Sequence, residues 1–128
     1  MTIHHSTKTV IFTLDIVLSE ILNRLLKKSE PNSELLIYSS FSDANKVHNN
    51  DGITFIMVDD AIIGASSYEL ISYLRLNRKA NCPIIYFGVN EHDSQKKAIS
   101  IGANHFVNKP FKPEDIIELF QALLYNQK

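Results

Sequence analysis

The sequence predicts a doubly wound α/β domain: five parallel strands in the order 2-1-3-4-5, with helices on both faces. Three observations carry this. Short apolar, β-branched runs alternate with segments whose apolar residues recur at helical spacing. The central run Ile53–Val58 is apolar without polar alternation, as suits a strand covered on both faces. Acidic residues and a lysine fall at or just past predicted strand ends, which in a parallel sheet share one edge.

The elements follow in order. Val10-Ile11-Phe12-Thr13-Leu14 reads as the first strand, ending at Asp15, and residues 16 to 28 as a helix with Val17, Ile21, Leu22 and Leu25 inward. Pro31-Asn32-Ser33 breaks the chain before a second strand, 35–38, and a short helix, 42–48. The turn Asn49-Asn50-Asp51-Gly52 introduces the third strand, which stops at Asp59-Asp60. Ser66 and Ser67 cap a helix carrying Leu70, Ile71 and Leu74 that ends near Asn77. Residues 83–87 form the fourth strand, and a helix from about Asp93 to Ile101, closed by Gly102, leads to the fifth, 105–107. After Lys109-Pro110, Pro113 opens the last helix with Glu114 and Asp115 in its first turn.

A chain of 128 residues with 45% hydrophobic content suffices for one core, so residues 1–128 are expected to be a single domain. The formal net charge of −1, with basic and acidic residues interspersed, gives no footprint for nucleic acid or an anionic membrane. No apolar run approaches the roughly 20 residues that span a bilayer, the polar start lacks a signal-peptide core, and Cys82 stands alone. Together these point to a cytoplasmic protein. Adjacent His4 and His5 read as part of a polar tail rather than a metal site.

Asp15, Asp59, Asp60, Gly88 and Lys109 all reach the carboxyl edge of the sheet. Carboxylates with one lysine at such an edge suit a divalent cation and a phosphoryl group, because the metal offsets carboxylate repulsion and the ammonium neutralises phosphoryl oxygens. Asp60, next to Asp59 on a strand, is expected to face the other way. Tyr68, Tyr73, Phe111 and Phe120 read as packing residues.

From about Lys8 to Leu124 the chain resembles the receiver domain of two-component response regulators, which has a flavodoxin-like fold. Val58-Asp59-Asp60-Ala61-Ile62-Ile63-Gly64 is similar to the segment around the phospho-accepting aspartate. Gly102-Ala103-Asn104-His105-Phe106-Val107-Asn108-Lys109-Pro110-Phe111 is similar to the run ending in the lysine-proline pair. Asp59 lies 44 positions after Asp15 and 50 before Lys109, spacings the family's βα units also call for. The resemblance implies that Asp59 accepts a phosphoryl group, that Asp15, Asp59 and the Ala61 carbonyl hold Mg²⁺, and that Lys109 pairs with the phosphoryl group. It implies a signalling module rather than an enzyme. Its partners would be a sensor histidine kinase or phosphotransfer protein and a downstream protein met through the last helices and fifth strand.

Three departures weaken the pocket. Leu14 stands where the family has the first acid of a pair, Gly88 where it has a threonine or serine, and Phe106 where the switching aromatic often carries a hydroxyl. Retention of Asp15, Asp59 and Lys109 favours a phosphorylatable receiver with an atypical switch; the alternative is a pseudo-receiver, a constitutive interaction module that is never phosphorylated. A flavodoxin-like small-molecule binder or hydrolase would want a glycine-rich phosphate loop after the first strand, and none is present. Gly88 is expected to leave free volume that Phe106 fills from inside even without phosphate.

Overall fold

The computed structural model describes residues 7–49, 51–89, 91 and 93–125; His4, His5 and Asn50 lie outside them. Strands β1 (Lys8–Phe12), β2 (Glu34–Tyr38), β3 (Ile53–Asp59), β4 (Ile84–Gly88) and β5 (His105–Asn108) alternate with helices α1 (Ile16–Ser29), α2 (Ser67–Leu76), α3 (Ser94–Ser100) and α4 (Pro113–Tyr125). The sheet has the expected order β2-β1-β3-β4-β5, and every pairing is parallel. Between β2 and β3 the chain makes a 3₁₀ segment, Phe41–Lys46, instead of an α-helix. Its Ser40–Asp43 capping box closes a turn too short to propagate.

Alternation along the strands divides the core in two. Val10, Phe12, Ile56, Val58, Ile84 and Tyr86 face α2 and the 3₁₀ segment, packing on Leu70, Ile71 and Leu74. Ile11, Phe55, Met57, Ile85 and Phe87 face α1 and α4, packing on Leu22, Leu26 and Phe120. The side chains of α1 turn inward at Leu18, Leu22, Leu25 and Leu26, whereas Val17 is 64% exposed. Leu22 and Leu25 are buried as expected and Ile21 packs against the same cluster, so of the expected stripe Val17 alone faces outward, with Leu18 in its place.

Ser66 caps α2 as the sequence predicts, and Asp15, read there as the end of the first strand, caps α1. Asp15 accepts from Leu18 N and Ser66 from Glu69 N, each satisfying an N–H that the first helical turn leaves without a partner. Arg75, near the end of α2, donates to the carbonyls of Ala80, Cys82 and Gly102 and to Asn104 Oδ1, pinning α2 to the approach to β5. The Lys109–Pro110 peptide bond is cis.

Candidate functional site

The carboxyl ends of β1, β3 and β4 meet around one aspartate. Asp59, the last residue of β3, has no exposed surface. Its carbonyl accepts from the Ser67 hydroxyl at the start of α2, which fixes where β3 ends. Each carboxylate oxygen accepts one hydrogen bond: Oδ2 from Thr13 Oγ1 at 2.7 Å and Oδ1 from Lys109 Nζ at 2.7 Å. A buried carboxylate left without such partners would cost several kcal/mol, on the order of 3–5 for a broken buried pair.

Lys109 arrives from β5, where its backbone N–H donates to Gly88 O at 2.9 Å. Its ammonium also reaches Asp60 Oδ1 at 2.6 Å. Asp60 therefore joins the cluster instead of facing away, because β3 ends at Asp59 and strand alternation does not extend past it. Burial alone would depress the Lys109 ammonium, but its hydrogen bonds to Asp59 and Asp60 and their negative charge outweigh that and raise it above the ordinary lysine value.

Thr13 was not singled out in the sequence. It lies just past β1, buried, and its hydroxyl serves twice, accepting from Asp15 N at 2.9 Å while donating to Asp59. A hydroxyl can do both. The Asp15 side chain is exposed and caps α1, and the Ala61 carbonyl accepts from Leu14 N at 2.8 Å.

These donors do not fit Mg²⁺. The ion requires oxygen ligands in near-octahedral array at about 2.0–2.1 Å. Here an ammonium sits between the two carboxylates, a threonine hydroxyl covers the remaining oxygen of Asp59, and Asp15 is committed to the helix end. Among the described residues no three His, Cys, Asp or Glu side chains gather as a metal site.

Phe106 is half-buried and points inward, its ring 5.7 Å from that of Tyr86. The volume expected beside Gly88 is not free: a Cβ there would lie 2.6 Å from Tyr86 Cε2 and 3.4 Å from Phe106 Cε2.

A family model for the response regulator receiver domain matches residues 15–121. The chain belongs to that family. Among solved structures, this receiver domain is similar to a two-component response regulator from Clostridium difficile, with TM-score 0.80 and 20% identity over 92% of this chain and 95% of that one. A chemotaxis response regulator of Vibrio cholerae gives TM-score 0.76 and 17% identity over 94% and 100%. The receiver domain of a sensor histidine kinase from Pseudomonas aeruginosa, with magnesium coordinated in its active-site cleft, gives 0.76 and 16% over 93% and 98%. No curated protein matches the sequence. At these identities the structural likenesses bear on fold, while the family match makes the chain a receiver domain of two-component signalling. No helix among the described residues is long and apolar enough to cross a membrane.

Proposed function

We propose that this receiver domain is a phosphorylation-independent interaction module, in which the acceptor position has become an internal structural pair. The observation that carries the reading is Asp59 itself, wholly buried, with one oxygen held by Thr13 and the other by Lys109. An in-line attack on phosphorus needs a carboxylate oxygen that the donor can reach, and cations around the transferring group. Here the ammonium that would meet the phosphoryl group is already shared by two carboxylates, Leu14 stands where the family has its first acid, and Asp15 caps α1. In this reading the domain performs no catalysis and acts in the cytoplasm. Its partner is a downstream protein that meets α3, β5 and α4.

A second reading, phosphoryl transfer to Asp59 from a sensor histidine kinase or phosphotransfer protein with Mg²⁺, draws support from the Asp59–Lys109 pair. Opening that pair would expose the two groups the transfer uses. Incubation with Mg²⁺ and acetyl phosphate followed by intact-mass measurement separates the two. The module reading expects no adduct of one phosphoryl group. An adduct that disappears in Asp59→Asn would establish the second reading instead.

A further inference from the structure

Gly88 closes β4 at a point where two rings already fill the space. Residues 86 and 88 share a face of the strand, and Tyr86, 4% exposed, lays its ring where a side chain at 88 would go. That ring is held on both sides. Its centroid is 5.3 Å from Tyr68 of α2 and 5.7 Å from Phe106 of β5, separations typical of favourable tilted aromatic pairs. Over the Tyr68 ring, 4.4 Å from its centroid, sits the ammonium of Lys97 from α3, within the range of a cation–π contact.

Four side chains from four elements thus form one column: Lys97, Tyr68, Tyr86 and Phe106. The column stands beside the ion cluster, since burial, a hydrogen bond with Tyr68 and the nearby carboxylates of Asp60 and Asp59 all raise the Tyr86 hydroxyl above its ordinary value. Tyr86 is therefore neutral, and its ring contacts with Tyr68 and Phe106 hold it in place. Phe106 cannot turn outward without uncovering Tyr86, and α3 cannot shift without withdrawing Lys97 from Tyr68.

We propose that this column is a lock: it holds α3 and β5 in one arrangement by packing, in the place where a movable hydroxyl and aromatic would otherwise let a phosphoryl group choose between two. The inference rests on the reading of Asp59 as a structural residue and supplies the physical cause of a permanent surface. A state with a second arrangement must break several contacts together, so its population is small.

The test is NMR relaxation dispersion and amide exchange on the full chain, wild type against Lys97→Met and Tyr86→Ala. In the wild type, α3 and β5 are expected to show no exchange on the microsecond-to-millisecond scale. Lys97→Met should raise amide exchange in α3 at least about threefold, and Tyr86→Ala in both α3 and β5 at least about tenfold, while β1 and α1 stay unchanged. If Tyr86→Ala does not fold, Tyr86→Leu, which keeps apolar bulk but not the ring stack, takes its place with the same expectation. Dispersion confined to α3 and β5 in the wild type overturns the lock, and so do variants that loosen every element equally or none. Beryllofluoride with Mg²⁺ separates this inference from the reading beneath it. Binding that is lost in Asp59→Asn defeats the structural role of Asp59 but leaves the lock standing, whereas shifts on that binding that spread into α3 and β5 overturn the lock as well.

Discussion

Thr13 Oγ1 donates a 2.7 Å hydrogen bond to Asp59 Oδ2 across 46 positions of sequence, joining the ends of β1 and β3 inside the core. An acceptor that loses its only donor in a buried site carries a desolvation penalty of about 1–3 kcal/mol, and more when it is charged. Thr13→Val, nearly the same shape, is therefore expected to lower unfolding free energy by at least about 1 kcal/mol. Thr13→Ser should recover most of it. Urea denaturation of the two variants checks this, and a neutral Thr13→Val would mean that Asp59 draws its stabilisation from elsewhere.

Lys109 is the other half of that arrangement. Lys109→Met leaves Asp59 buried beside Asp60 with no cation, a loss expected to be about 3–5 kcal/mol. Adding Asp59→Asn removes the stranded charge, so the double variant should be more stable than Lys109→Met alone. The non-additivity, read by denaturation of both singles and the double, is the signature of direct coupling.

The parallel sheet is legible because its strands are short apolar runs set apart by Gly, Pro, Asn and Ser, and the cap of α2 because Ser66 precedes helical periodicity. The Asp59–Lys109 pair was legible through family spacing. Three site residues were not. Asp60 was assigned by strand alternation, a rule that holds only within a strand, and β3 stops one residue earlier. Thr13 reads as the interior of an apolar strand, whereas β1 ends at Phe12 and leaves Thr13 at its open end. Tyr86 looked like one more apolar strand residue, and only the neighbouring Gly88, two positions on and without a Cβ, signalled that a ring would lie across it. Long-range partners such as Lys97 above Tyr68 leave no local signal at all.

The donor set also bears on metal. Magnesium that binds only the folded state would raise Tm with concentration. At about 10 mM Mg²⁺ the wild type is expected to shift by less than about 1 °C, because nothing at the site binds it differentially. Thr13→Asp places a second carboxylate against Asp59, which destabilises the ion-free protein by like-charge repulsion and should make its Tm respond to Mg²⁺. Thermal denaturation with and without the ion tests both statements.

Gly88→Thr is the substitution that the family pattern would suggest as a restoration, yet here it meets Tyr86 at 2.6 Å. Because the Tyr86 ring is held between Tyr68 and Phe106, it cannot yield cheaply, and overpacking of this kind costs about 1–3 kcal/mol. In a Tyr86→Ala background the same substitution should cost markedly less. A Gly88→Thr variant as stable as the wild type would show that the ring relocates freely.

Tyr86 gives the fold a specific response to alkali. Its hydroxyl is raised by burial first, then by the hydrogen bond with Tyr68 and the charges of Asp60 and Asp59, so the folded protein holds this proton more tightly than the unfolded chain does. A group raised on folding contributes stability that is complete below its unfolded value, about 10 for tyrosine, and is lost as pH climbs towards the folded value. Lys109, also raised, acts in the same direction above the ordinary lysine value of 10.5. Tyr86→Phe separates the two, because phenylalanine does not titrate and Lys109 is common to both proteins. Near pH 8, where this hydroxyl is neutral in both the folded and the unfolded chain, its ionisation contributes no difference between the two proteins. Above about pH 10 the wild type should lose up to about 1.4 kcal/mol per pH unit that the variant keeps, so the variant should gain on the wild type steadily up to about pH 11.5. Denaturation series at pH 8, 10 and 11.5, set by these values, measure it. A gap that stays constant would mean that Tyr86 ionises alike in the folded and unfolded chains, which its burial against Tyr68 and beside two carboxylates does not allow.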